Sequence, residues 1–401
     1  MTTLNRRGFI ASVSTVAAWS LLRRDVKFQG LVEGIRPPSD TFLKTLPKLM
    51  EVTAVPGLSM GVLQEGKLAW QRYEGVADAG TRKLVTPESL FPAASLGKPV
   101  FAYAALHLAD QGKLDLDRPL KTYVPDHAPA DARGDKVTAR HVLSHSTGFR
   151  NWRNSMDPPL TPDFDPGTRF QYSGEGFYYL QRAVEKITGG AFEQFMQTRL
   201  FEPFGMRSST YGWREDTDAR LVTGHNRGNP VRGQSREFSN RLLQYTQSLG
   251  KALASFTHDD VVVAMGAIKP SPPALPNFII PNSAGSMVTT VTDYAAYLGH
   301  VLVPSAGTAE IAAKTREQML TTVTRINSVL SWGLGWGLES DAGRDYFWHW
   351  GDNGNYKNFV LAHLRSRSAV VVFTNGNNGM RINEAVVAAA SGHEHFAFDW
   401  L

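Results

Sequence analysis

The stretch LFPAASLGKPVFAYAALHLADQG, residues 90–112, decides how the rest of the chain is read. Beyond Pro99 its apolar residues recur with a period of 3.6. Val100, Phe101, Ala104, Ala105, Leu108 and Ala109 share one helical face, and Gly112 supplies a stop. Pro99 has no amide hydrogen and is accommodated only near a first turn, where that hydrogen would lack a partner anyway. A helix therefore starts beside Ser95-Leu96-Gly97-Lys98, with Ser95 at or just before its N-terminus and Lys98 one turn later on the same face. The positive end of the helix dipole stabilises an alkoxide and favours a neutral amine there. A serine hydroxyl is a weak nucleophile that needs an adjacent base. A lysine serves as that base when its pKa falls toward neutrality. The same placement also suits an N-cap serine followed by a surface lysine, so position alone leaves both readings open.

SLGK occurs a second time, at Ser248–Lys251, after the helix-like run RLLQYTQ of residues 241–247. Gly250 stands where that helix would end. Ser248 would then face exposed carbonyls, which oppose a developing negative charge. A solvated turn is expected for this copy.

The remainder of the 401 residues bounds the class of protein. Apolar residues make up 42% and charged residues 20%, enough for a sizeable core in a globular protein. The net charge of +5 is scattered without a lysine or arginine run, so no nucleic-acid partner is expected. There is no cysteine, which removes disulfides, thiolate metal sites and a cysteine nucleophile together. At the N-terminus, Arg6-Arg7-Gly8-Phe9 precedes a short apolar run from Ile10 to Leu22. This segment, residues 1–24, has the form of a twin-arginine export signal, which implies a periplasmic or secreted protein. The run is too short to span a bilayer, and no later segment is long and apolar enough to do so.

Strand signals lie at both ends of the chain. Leu58–Leu63 and Lys67–Tyr73 flank a Gln64-Glu65-Gly66 turn. Near the C-terminus, Trp332–Leu338, Tyr346–Trp350, Lys357–Leu364 and Ser368–Thr374 are separated by Gly, Asn and Asp turns. Helical periodicity fills residues 139–145, 177–188, 191–199, 292–302 and 308–321, with a last helix over 383–390. Residues 214–282 read as loops because of their Pro, Gly and Arg content. The expected fold class is α+β. An antiparallel sheet is built from both chain ends, with flanking helices and a helical subdomain inserted at about residues 113–282 of a domain running from 40 to 401.

Two further segments could join Ser95 and Lys98. Tyr172 immediately precedes Ser173, a plausible N-cap for a helix carrying Phe177, Leu180, Val184 and Ile187 on one face. Its phenol could relay a proton, or it could be a core tyrosine with a satisfied hydroxyl. Trp348-His349-Trp350-Gly351-Asp352 ends a strand, and Gly351 lets a substrate approach the backbone closely, as along an edge strand. The amide after Gly351 could pair with that of Ser95 as an oxyanion hole. His349 by itself is equally a packed or a surface histidine.

In this order and with these neighbours, the segments resemble the serine β-lactamase and penicillin-binding superfamily, in its class C β-lactamase-like branch, which also holds D-alanyl-D-alanine carboxypeptidases and esterases. The resemblance runs from about Pro56 to Gly376. It includes VPGLSMGVLQEGKL (55–68), LFPAASLGK (90–98), GKLDLDRPL (112–120), HVLSHSTGF (141–149), YSGEGFYYLQRAVEKITGGAF (172–192), LFEPFGM (200–206) and SAGSMVTTVTDYAAYL (283–298). It implies a β-lactamase/transpeptidase-like fold and a reaction through an acyl-enzyme on Ser95. Lys98 and Tyr172 would share the acid and base work. His349, Trp350 and Gly351 would line the substrate strand, and the Ser95 and Asp352 amides would bind the oxyanion. The substrate would be a small molecule or peptide, and no cofactor is implied.

The chain departs from the family pattern twice. Gly174 stands where the Tyr-x-Asn motif has its asparagine, which weakens recognition of acylamino substrates. His349 stands where Lys-Thr-Gly has its lysine, and neutral histidine attracts a carboxylate less than a permanent cation does. Both changes point toward a general ester or amide hydrolase. The alternatives are a carboxypeptidase or β-lactamase, or a penicillin-recognising sensor that does not turn over. Trp332, Trp336, Trp348 and Trp350 suggest an aromatic cleft, or simply a core. His141 and His145 have helical spacing without the glutamate of a zinc protease, and His393 and His395 have no evident carboxylate partner. No metal site is expected, and the sequence leaves the oligomeric state open.

Overall fold

Nine strands form one antiparallel sheet: β1 (Gly57–Gln64), β2 (Lys67–Asp78), β3 (Lys83–Leu84), β4 (Thr324–Arg325), β5 (Leu330–Trp332), β6 (Gly337–Asp341), β7 (Arg344–Asp352), β8 (Lys357–His363) and β9 (Ser368–Thr374). Their spatial order is β3-β2-β1-β9-β8-β7-β6-β5-β4, so the two chain ends meet where β1 pairs with β9. The computed structural model describes residues 34–127, 129, 131–153, 159–231, 235–268, 280–341 and 343–401. The expected export segment, residues 1–24, lies outside them.

The central strands are apolar on both faces. Every residue of β9 is buried, as are six of the seven in β8, because helices cover the sheet on each side. On one side, helices α1 (Asp40–Thr53) and α5 (Gly379–Ser391) pack over Met60, Val62, Leu361, Val370 and Val372. On the other, helices α2 (Gly97–Asp110) and α4 (Val291–Leu302) pack over Leu63, Val360, Val371 and Phe373. Between Leu84 and Thr324 the described residues add no strand to this sheet. That span holds α2, helix α3 (Gly174–Thr188) and α4.

Three expectations are corrected. The described part of residues 214–282 is largely helical rather than loop. It carries helices at Glu215–Arg220, Ser235–Ser248 and His258–Ala267. The third starts at a capping box, where Thr257 accepts the Asp260 amide and the Asp260 side chain accepts the Thr257 amide. Leu242, Leu253, Phe256, Val261 and Ala264 give these helices a small core of their own, too sparse to show as a strong period. The expected strand Trp332–Leu338 is a hairpin corner. The chain turns at Gly333–Trp336, with Gly335 at φ 96° and its amide donated to the Leu143 carbonyl at 2.8 Å. The helix expected at 308–321 spans only Ala313–Met319.

Candidate active site

Ser95 lies in a turn of 3-10 helix, Ala94–Leu96, directly ahead of α2. Ala94 before it is fully buried at φ 54°, a left-handed conformation that costs a residue with a β-carbon about 1–2 kcal/mol. Surrounding contacts hold this strained corner in place. The Ala93 amide donates to the Met287 carbonyl at 2.8 Å. Three buried tyrosines donate to carbonyls at the helix start: Tyr294 to Leu96, Tyr211 to Gly97 and Tyr297 to Pro99.

Lys98 is completely buried, and its Nζ donates to Ser95 Oγ at 2.9 Å and to the Ala284 carbonyl at 2.6 Å. Among the described residues no carboxylate forms an ion pair with it. Burial without a counter-charge pushes its pKa well below the usual lysine range. Its nearest rings are those of Tyr172, at 4.8 Å from Nζ to centroid, and Phe177.

Tyr172 stands just outside α3. Ser173 is the N-cap, accepting the Gly176 amide at 3.0 Å. The Tyr172 hydroxyl is buried and makes no hydrogen bond of normal geometry. Burial raises its pKa above the usual phenol value, and the facing Ser95 hydroxyl acts in the opposite sense. His145 backs the ring at 4.2 Å between centroids. Its Nδ1 accepts the Ser173 amide at 3.1 Å, which places the ring proton on Nε2. His145 adopts φ 52° just after the helix Ala139–Leu143.

The third wall is the end of β7. Residues Arg344–Trp348 pair with β6, so His349–Asp352 have β8 on one edge and no strand on the other. The turn before Ser95 lies against that open edge. A β-carbon on Gly351 would fall 2.1 Å from the Ala93 carbonyl oxygen. The backbone leading into Asp352 therefore runs beside the backbone leading into Ser95. Asn358 fastens the two, its side chain donating to the Pro92 carbonyl at 2.9 Å. The Asp352 carboxylate points away, to Lys357 Nζ at 2.5 Å and the Gly354 amide at 2.8 Å. Asn353 donates to the Gly285 carbonyl at 3.1 Å, next to the carbonyl that holds Lys98.

His349 stands near the end of β7 and is packed, not on the surface. It is fully buried, and burial together with the nearby Lys98 lowers its pKa to about 3. Its Nδ1 donates to the Trp350 carbonyl at 2.7 Å, leaving a lone pair on Nε2. Trp350 is half-buried against Tyr172, at 4.6 Å between centroids. Trp332, Trp336 and Trp348 are entirely buried and belong to the core. Gly174 opens α3, and the Trp152 indole lies over it.

Ser95, Lys98, Tyr172, His349, Trp350 and Gly351 are thus brought together, whereas the second SLGK is elsewhere in structure. Ser248 ends the helix Ser235–Ser248 and bonds back to the Tyr245 carbonyl, and Lys251 pairs with Asp260. The paired histidines diverge: His141 caps its own helix while His145 enters the core. His395 does have a carboxylate partner, contrary to the sequence expectation. Its Nδ1 meets Glu339 at 2.9 Å, a contact across 56 residues that local pattern does not encode. Sequence reading also gave no role to His145, Trp152 and the Ala284 carbonyl. The quoted motifs marked the segments of His145 and Ala284, whereas Trp152 lies outside them.

The sequence profile described as Beta-lactamase matches residues 42–391. Among curated proteins, Penicillin-binding protein 4 of Amycolatopsis lactamdurans is 31% identical over 186 residues, 43% of this chain and 49% of that protein. Esterase EstB of Burkholderia gladioli is 27% identical over 200 residues, covering 42% and 50%. The chain thus spans about half the length of these relatives. Of solved structures, the D-alanine carboxypeptidase AmpC from Burkholderia cenocepacia superposes with a TM-score of 0.67 at 18% identity, over 88% of this chain and 98% of that one. A class C beta-lactamase gives the same TM-score and identity over 88% and 94%. The chain, with its β-lactamase/transpeptidase-like fold, belongs to the beta-lactamase family, whose members are serine hydrolases.

Proposed function

We propose that this protein is an exported serine hydrolase that cleaves an ester or amide through an acyl-enzyme on Ser95. The observation that carries the reading is the buried Lys98 amine, 2.9 Å from Ser95 Oγ and without a carboxylate partner. The two pKa shifts divide the labour. Lys98 is displaced toward its neutral form and is the base, and Tyr172 is displaced toward its protonated form and is the acid.

Lys98 Nζ takes the Ser95 hydroxyl proton as Oγ bonds to the substrate carbonyl carbon. The oxyanion is met by the Ser95 and Asp352 amides. As the carbon–heteroatom bond breaks, the Tyr172 hydroxyl protonates the leaving alcohol or amine and recovers a proton from Lys98. Water then attacks the acyl carbon and gives its proton to the same pair. Oγ leaves, reclaims a proton, and the free acid departs. Neutral, buried His349 offers no cation for a substrate carboxylate, which favours esters over β-lactams and C-terminal peptides.

Intact mass spectrometry tests this with wild type and Ser95→Ala, each mixed with an activated short-chain ester and, separately, a penicillin. A transient ester adduct on wild type alone, with turnover, is expected. Undiminished turnover in a folded Ser95→Ala protein would overturn the assignment. A long-lived penicillin adduct would favour the peptidase or sensor reading instead.

A further inference from the structure

Gly174 is two residues beyond Tyr172, at the first position of α3. Its backbone does not require glycine, since its φ is not in the left-handed region. What requires glycine is Trp152. A β-carbon at Gly174 would lie 2.4 Å from Trp152 Cζ2, 2.7 Å from Cη2 and 2.8 Å from Cε2, so the six-membered edge of the indole rests on the bare Cα.

The segment carrying this indole is pinned on both sides. The Gly174 amide donates to Asn151 Oδ1 at 2.9 Å and to the Asn151 carbonyl at 3.1 Å, and the Glu175 amide donates to that carbonyl at 3.0 Å. Ser173 Oγ donates to the Arg150 carbonyl at 3.0 Å. The Arg153 amide donates to Glu175 Oε1 at 2.9 Å, and its guanidinium grips the same carboxylate at 3.0 Å in a largely buried ion pair. Residues 150, 151 and 153 are all tied to the start of α3, yet Trp152 between them remains 40% exposed. A large apolar ring set over Gly174, two residues beyond Tyr172, and left open to solvent is suited to form a ligand wall.

We propose that Trp152 is the specificity-determining wall for the acyl group of the Ser95 substrate, and that this group is apolar: an unbranched aliphatic or aryl-substituted acyl chain without an amide at its α-carbon. The proposal rests on the acyl-enzyme reading of Ser95. Trp152 takes the space that any side chain at position 174 would occupy, so no polar side chain from that position faces the indole. The indole itself offers a π surface and a single N–H donor. The charge next to it, on Arg153, is paired with Glu175. An apolar acyl chain stacked on the indole would be withdrawn from water, and each methylene covered adds to the discrimination.

The test is kcat/KM for p-nitrophenyl acetate, butyrate, hexanoate and phenylacetate with wild type, Trp152→Phe and Trp152→Ala. Trp152→Ala is expected to lose about ten-fold or more on hexanoate and phenylacetate, chiefly through KM, with acetate falling least and Trp152→Phe recovering most of the loss. Gly174→Ala should mimic Trp152→Ala by displacing the indole, and in the Trp152→Ala background it should add little. An equal loss on all four esters, or additive Gly174 and Trp152 effects, would reduce Trp152 to a structural residue. A second readout does not depend on turnover: binding of hexanamide to Ser95→Ala protein by ligand-detected NMR. Weaker binding in Ser95→Ala/Trp152→Ala would support the wall even if the Ser95 chemistry failed its own test. Equal binding in the two would overturn it.

Discussion

At the residue scale, the proposed mechanism has Lys98 exchange stability for reactivity. A buried amine with no counter-ion must give up its proton or forgo solvation, and either costs folding energy. Its folded pKa lies below its unfolded value, so between the two the unfolded chain binds the extra proton and stability rises with pH. Lys98→Met fills the same volume without that cost. It should raise the melting temperature at pH 7, by about 1 kcal/mol or more in stability, while lowering kcat roughly 10²–10⁴-fold. Calorimetry and ester turnover on one preparation check both halves; a destabilised Lys98→Met protein would contradict the burial argument.

His145 and His349 carry the same liability at lower pH. Both are buried neutral, His349 with its pKa at about 3 and His145 well below the ordinary value. Nothing is lost above the unfolded value near 6.5. Below it the unfolded chain takes up protons that the folded chain refuses, and stability falls by about 1.4 kcal/mol per pH unit for each histidine until its folded pKa is reached. Urea midpoints at pH 7 and pH 4.5 should therefore drop in wild type and drop less in His349→Gln. Equal slopes in the two proteins would show that His349 does not titrate in this way.

At the element scale, the site depends on β7 touching the turn before α2. Gly351 allows that contact, because any β-carbon there would meet the Ala93 carbonyl oxygen, a backbone atom that cannot swing aside. Gly351→Ala is expected to cost about 1–3 kcal/mol and to remove most activity by opening the oxyanion amides. Gly354→Ala is the control from the following turn. It meets nothing within 4 Å and strains only its own φ of 75°, so it should cost about 1 kcal/mol and leave activity within a few-fold. Similar losses in the two variants would mean that strain in the turn, and not the β7 contact, is what matters.

At the scale of the whole molecule, a sheet closed by pairing β1 with β9 brings residues 58 and 374 into register. No helix among the described residues is long and apolar enough to cross a membrane. Export is proposed on the N-terminal arginine pair and the short apolar run from Ile10 to Leu22 that follows it. Replacing Arg6 and Arg7 by lysine should trap the full-length protein in the cytoplasm on fractionation, and unchanged export would remove the twin-arginine proposal.

The sequence determined the parts whose physics is local. Period 3.6 after Pro99 located α2 and put Ser95 and Lys98 about one turn apart at its start, where the 3-10 turn carrying Ser95 runs into the helix. The N-cap at Ser173 placed Tyr172, and the turn glycines marked the C-terminal strands, except where Gly333 and Gly335 bend a run that alternates like a strand. Only the tertiary structure decided what surrounds those groups. Burial of His349, the His145 ring behind Tyr172, the Ala284 carbonyl on Lys98 and the Trp152 indole on Gly174 all join segments distant in the chain or depend on solvent exclusion. A pattern of residue types encodes which face an element buries. It does not encode which distant atom meets that face, and that meeting sets the charge on Lys98 and the shape of the cleft.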